Sequence, residues 1–504
     1  MNHIINILIG NETENIVSDI ETKLRQEAET QLSQGPANAA NQALDEVKND
    51  LNETIQSELV NLSNINVEDQ QSVSIEYTTP LRCRDPCGMN GGPFGPTVKQ
   101  DSMFHFHAEN IVNKALQKVT KKLAEHDVKV KQKISDQNDA CIWEDYGFKA
   151  FFSYDTINKI FRDKRFGREI PKKLYNPNPK HLDDFYRIEK NSMLELEPPR
   201  HSRLRSLVLR AFTNKNIMSL EKSIESLCFN LLKKMKGNEV DLIESYAKKV
   251  PVITIANLLG IPEEMSDQLL EWSNKMVTMY QARLSPKLEL DANIAAKDFF
   301  HYIENYVHKR KKTPGNDLIT HLINAEQDGS KLNFDELVST CILLLNAGHE
   351  ATVHTIGNGI KTLIEQNIER KYILNDCSQS ILEEIFRFDP PLHIFTRYAY
   401  ENLKIANTEI EEGEKIGLVI GASGYDKKRW DQPEKFIPQR KIISNNAFGA
   451  GIHFCIGAPL ARLEISIALK CFFESFKEIK LTQKPEYADI YHFHGLNSLK
   501  VHLN

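Results

Sequence analysis

The sequence predicts a mainly α-helical protein with small β-sheets, preceded by an α-helical hairpin. Three observations carry that prediction. Apolar residues recur at helical spacing through most of the chain beyond Asp155. Aromatic and β-branched clusters are short and few. The first 62 residues carry narrow apolar stripes of their own, with eleven acidic residues against three basic ones, so this piece has net charge −8 and the remainder +2.

In order along the chain, Ile16, Ile20, Leu24, Ala28 and Leu32 recur every fourth residue. After Gly35-Pro36 the pattern resumes with Leu44, Val47, Leu51, Ile55 and Leu59. Residues 1–65 therefore read as an acidic helical hairpin that must pack against itself or a partner. Residues 66–139 read as a linker, glycine-rich between Pro80 and Pro96, and then a helical extension with Ile111, Ala115, Leu116, Val119 and Leu123 on one side. The main domain is expected over residues 140–504. It opens with strands in the aromatic cluster Cys141 to Tyr154, and strands return at Leu403 to Ile420 and Leu496 to Val501.

Composition excludes several classes. Of 504 residues, 41% are hydrophobic and 26% charged, an ordinary globular balance. Net charge is −6, which argues against a nucleic-acid binder. Mean hydropathy is −0.42. No apolar run approaches the ~20 residues of a spanning helix. Ile4 to Ile9 is too short for a signal-peptide core and has no basic flank, so no membrane anchor and a cytoplasmic location are expected. The eight cysteines are scattered and form no disulfide framework.

One cysteine has a special context: Phe448-Gly449-Ala450-Gly451-Ile452-His453-Phe454-Cys455-Ile456-Gly457-Ala458-Pro459. Pro459 suits the first turn of a helix, which puts Cys455 at a helix N-terminus where free N–H groups favour a thiolate. The glycines let backbone approach a flat ligand, and Phe448 can cover the sulfur. The plain alternative is a buried, inert cysteine. The spacing Phe-x-x-Gly-x-x-x-Cys-x-Gly resembles the haem-binding loop of the cytochrome P-450 superfamily, in its soluble bacterial style. The resemblance covers about residues 140–504.

It extends to Ala347-Gly348-His349-Glu350-Ala351-Thr352, which resembles the family's oxygen-activation helix. On residues alone, Thr352 lies four after Gly348 and can take that carbonyl, and Glu350 is an acid in an apolar helix. A kinked helix with one exposed charged face is the bland alternative. Glu384-x-x-Arg387 matches the family's structural Glu-x-x-Arg motif, although the bare spacing on its own reads better as a surface ion pair. Lys435 stands where an arginine often completes that triad, implying a looser one. Ser423-Gly424-Tyr425-Asp426 also departs from the usual Asn-Arg-Asp segment.

The resemblance implies haem b with an axial thiolate from Cys455, a cofactor site that includes Phe448, Gly449, Ala347 and Gly348, and propionate contacts from His201, Arg205, Arg397 and His453. It implies proton delivery by Glu350 and Thr352. The activity implied is monooxygenation of an organic small molecule by O2, with electrons from a separate ferredoxin- or flavin-type donor. A peroxygenase or isomerase on the same fold, or a haem-binding scaffold acting through the N-terminal hairpin, are the alternatives. Cys83, Cys87, His105 and His107 have zinc-ligand chemistry at irregular spacing, for which incidental loop residues are the simpler reading.

Overall fold

The computed structural model describes residues 140–504, apart from 144–146, 236–238, 281–283, 328, 376–377 and 489–492. The expected hairpin of 1–65, the extension 66–139 and the Cys83, Cys87, His105 and His107 group lie outside the described residues.

Two short strands, β1 (Ala140–Trp143) and β2 (Phe148–Phe151), form an antiparallel pair. Tyr154, taken from its sequence as strand, instead opens helix α1 (Tyr154–Arg162). The Ser153 hydroxyl accepts the Thr156 N–H there, a local cap that overrides the β propensity of the aromatic run. β3 (Phe166–Gly167) follows, then helices α2 (Arg200–Ala211), α3 (Glu221–Lys234), α4 (Lys249–Leu259), α5 (Ser266–Val277) and α6 (Pro286–Lys312). The 32-residue α7 (Phe334–Glu365) runs through the core, and α8 (Ser378–Phe388) follows it. Strands β4 (Ile394–Ala399) and β5 (Lys415–Val419) complete a five-stranded sheet in the order β1-β2-β5-β4-β3. Only β2 and β5 pair in parallel.

Helix α9 (Ala458–Ser475) packs on α3, where the buried Tyr246 hydroxyl donates to the Ala468 carbonyl at 2.8 Å. The start of α7 is fixed by a reciprocal capping box: Asn333 accepts the Glu336 N–H and Glu336 accepts the Asn333 N–H, both at 2.9 Å. Most of α7 is buried, which explains why its apolar residues show no clean face. The helix thus serves as a rigid wall, and α9 supports the loop that precedes it. Among the described residues, no helix is long and apolar enough to cross a membrane.

Candidate active site

Residues 446–457 hold Cys455 at the head of α9. The Cys455 N–H donates to the Phe448 carbonyl at 3.0 Å, and the Gly449 N–H to the Asn446 carbonyl at 2.9 Å. Gly449 and Gly451 have φ of +67° and +70°, and a Cβ on Gly451 would lie 2.2 Å from the Phe161 carbonyl oxygen. Only glycine fits that second turn. Pro459 occupies the first turn of α9, as its sequence position predicts. The Phe448 ring packs edge-on against Phe386 and beneath the Arg462 guanidinium, 4.4 Å from its centroid. Burial pushes the Cys455 thiol up, against the pull of the Gly457 and Ala458 N–H groups and of Arg205 and Arg462. The expected helix N-terminus is present, but desolvation outweighs it; coordination to a metal would deprotonate the thiol outright.

A second group gathers cations. His201 and His453 lie with ring centroids 4.3 Å apart. Burial, with His453 and Arg205, pushes the His201 imidazole down to about 4, and its buried Nδ1 has no hydrogen-bond partner among the described residues. Arg397 is buried; desolvation and the nearby Arg168 push it down to about 9, and its Nη1 reaches only the carbonyl of its neighbour Thr396, at 2.7 Å. Glu197, unnoticed in the sequence, accepts from His453 Nε2 at 2.9 Å and from the Arg168 N–H at 2.7 Å. Those bonds outweigh burial and hold its carboxyl below the usual range. Arg205 donates to the Phe454 carbonyl at 2.6 Å, next to the thiol.

In α7, Ala347 is exposed and Gly348 half-buried in the middle of a buried helix. The Thr352 hydroxyl donates to the Gly348 carbonyl at 3.1 Å, the back-bond its spacing predicts. Glu350 lies 3.2 Å from His349 Nε2 and 3.5 Å from His354 Nε2. Burial opposes its ionisation, yet the two histidines hold the carboxyl well below the usual carboxylate range. His354 was legible as the i+4 neighbour of an intrahelical acid, but was not singled out.

The Glu384–Arg387 pair is fully buried, not a surface ion pair. The expectation of a looser triad at Lys435 is also corrected. Arg440 supplies the third member, its Nε 2.9 Å from Glu384, because the 432–440 turn curls back over α8. Lys435 contributes only its carbonyl to Arg387, and its amine reaches Gln432 at 2.7 Å. In the departing segment, a Cβ on Gly424 would lie 2.1 Å from the Arg387 carbonyl oxygen, so glycine is required there.

Asp389 and His393, both buried, and the half-buried His494 form a separate cluster. The two imidazoles stack face to face, centroids 3.9 Å apart and planes 19° from parallel. Ring lone pairs lie in those planes, so one cation cannot sit in both. Asp389 is instead paired with Lys361, Tyr487 and His494.

A half-buried thiol at a helix head, a small-residue notch in a buried helix, an orphaned imidazole nitrogen and a desolvated arginine together fit haem b: sulfur for iron, cations for two carboxylates. The comparisons agree. The family model described as cytochrome P450 matches residues 152–368 and 378–499. The polyketide biosynthesis cytochrome P450 PksS of Bacillus subtilis is 35% identical over 360 residues, 70% of this chain and 88% of that protein. The biotin biosynthesis cytochrome P450 of the same organism is 31% identical over 353 residues, 69% and 88% of the two chains. The solved structure of P450BioI in complex with a hexadec-9Z-enoic acid ligated acyl carrier protein matches with TM-score 0.69 at 29% identity, covering 75% of this chain and 99% of that one. The chain belongs to the cytochrome P450 family: it is a haem-thiolate monooxygenase, and its cofactor is haem b.

Proposed function

We propose that this chain inserts one atom of O2 into an organic small molecule, with electrons from a separate ferredoxin- or flavin-type donor, and that Glu350 and Thr352 deliver the protons. Bound haem would supply the oxygen-activating chemistry, and the Cys455 thiolate would favour O–O cleavage by donating electron density. His201, His453, Arg205 and Arg397 would hold the haem carboxylates; the unpartnered His201 nitrogen supports that role for His201. Ala347 and Gly348 would leave room beside the macrocycle, and Leu392 to Phe395 would wall the substrate. The observation that carries the proton-delivery reading is the Thr352–Gly348 back-bond. It sets a polar hydroxyl on the Gly348 carbonyl, in one turn of helix that also carries the half-buried acid, in the stretch where α7 is least covered.

A peroxygenase or isomerase would have no use for that acid–alcohol pair. The first test is the carbon-monoxide difference spectrum of the reduced protein beside that of Cys455→Ser. The thiolate-type absorption should be present in the first and absent in the second; an unchanged spectrum in the variant would refute the ligand assignment. Thr352→Ala should then divert electrons to peroxide, and unchanged coupling would remove the proton-delivery role.

A further inference from the structure

We propose that His349 supplies the protons that Glu350 passes on, drawing them from solvent beside Asn274, while His354 flanks the second oxygen of the acid. The proposal rests on the monooxygenase reading above and names the supply line for its proton step.

His349 is buried, 1% exposed, and its two ring nitrogens have different surroundings. Nδ1 faces the Leu345 carbonyl at 2.9 Å, so it carries a proton and is committed to the helix backbone. Nε2 lies 3.2 Å from Glu350 Oε2 and 3.4 Å from Asn274 Oδ1. Both are acceptor oxygens. A lone pair on Nε2 would face two others, whereas one proton there serves both contacts. The imidazole and the carboxyl are close enough to exchange one proton, and moving it creates no net charge: the Nε2–H bond breaks, the Oε2–H bond forms, and an ion pair becomes a neutral pair. When Glu350 gives its proton up, the bare Nε2 faces a carboxylate. It is restored by taking one proton from water at Asn274, which is exposed on α5. One proton enters and one leaves per cycle.

His354 has the complementary task. It is buried, 6% exposed, with Nε2 3.5 Å from Glu350 Oε1, and neither ring nitrogen makes a hydrogen bond among the described residues. Its ring packs 5.5 Å from Phe493. A Cβ on Gly495 would lie 1.6 Å from His354 Nδ1, so the carboxy-terminal segment can close on this imidazole only through glycine. Among the described residues, the titratable groups facing Glu350 are thus His349 and His354 on its own helix. α5 presents neutral Asn274, α4 presents Ile255 against Gly348, and the carboxy-terminal segment presents Phe493. His354 is a positioning residue; His349 is the donor.

The test uses the full-length holoenzyme, reduced by a ferredoxin and its reductase with dioxygen as the only oxidant. The readout is the share of dioxygen released as peroxide, in water and in heavy water. His349→Gln should raise that share by at least about fivefold and enlarge the solvent isotope effect. Asn274→Leu, a surface change that leaves α7 intact, should do the same more weakly. Isotope-labelled histidine in the diamagnetic carbon-monoxide form provides a readout independent of turnover. One imidazole should carry protons on both nitrogens, and should lose one in Glu350→Gln. Wild-type peroxide share and isotope effect in both variants would overturn the proposal. Absence of the thiolate-type carbon-monoxide absorption in the unmodified protein would instead overturn the underlying monooxygenase reading.

Discussion

Two buried cationic sites in this protein are built on opposite plans. Around Arg387 every donor is used: two bonds reach Glu384 at 2.7 and 2.8 Å, and the others reach the carbonyls of Gly424, Pro433 and Lys435. Glu384 also accepts from Arg440 and from the Ile437 N–H. Around Arg397 and His201 the reverse holds: among the described residues, a buried nitrogen has no partner and an arginine is desolvated without a directly bonded carboxylate. The first arrangement completes itself and fixes how α8 meets the following loop. The second is costly as it stands and would be relieved by an anion from outside. The first is satisfied within the chain; the second leaves room for an incoming carboxylate.

The largest expected effect breaks the satisfied site. Arg387→Leu leaves Glu384 buried and short of its main partner, and should cost about 3–5 kcal/mol in denaturant unfolding. A loss below about 1 kcal/mol would show that the network contributes little. Next comes pH. His201 has a folded-state value of about 4 against an ordinary 6.5, so the haem-free folded state binds fewer protons than the unfolded chain between those values. Stability should therefore fall as pH drops through that window, by up to about 3 kcal/mol from this residue. His201→Asn should remove that share of the slope, and identical slopes would contradict the neutral, unpartnered state.

Arg397→Leu should act with opposite signs in the two forms. The haem-free protein should be no less stable, because a desolvated charge is gone. Haem should be held about tenfold more weakly, through loss of one charge-assisted contact, as read by transfer to apomyoglobin. Equal destabilisation of both forms would place Arg397 with the structural arginines. The smallest effect separates the two candidates for the third member of the triad. Lys435→Ala should change stability by less than about 0.5 kcal/mol, and Arg440→Ala by about 1–3 kcal/mol. The reverse order would restore Lys435.

What was legible follows from locality. The cysteine loop, the Thr352 back-bond and the start of α9 are decided within a few residues, by glycine, proline and helical spacing, and each was readable. Tyr154 was misread because its cap competes with an aromatic run in which β propensity is strong. Arg440 was missed because its reach to Glu384 depends on a turn more than fifty residues away in sequence. Glu197 and Asn274 were missed for the same reason: their partners His453 and His349 come from distant segments.

By itself, then, the sequence determined that a thiol would stand at a helix head within a glycine-rich loop, and that an acid and an alcohol would share one turn of an apolar helix. Only the tertiary structure decided which charges would be neutralised. Pairing depends on where separate segments meet, and burial multiplies the consequence of each meeting by removing the water that would otherwise make all partners nearly equivalent.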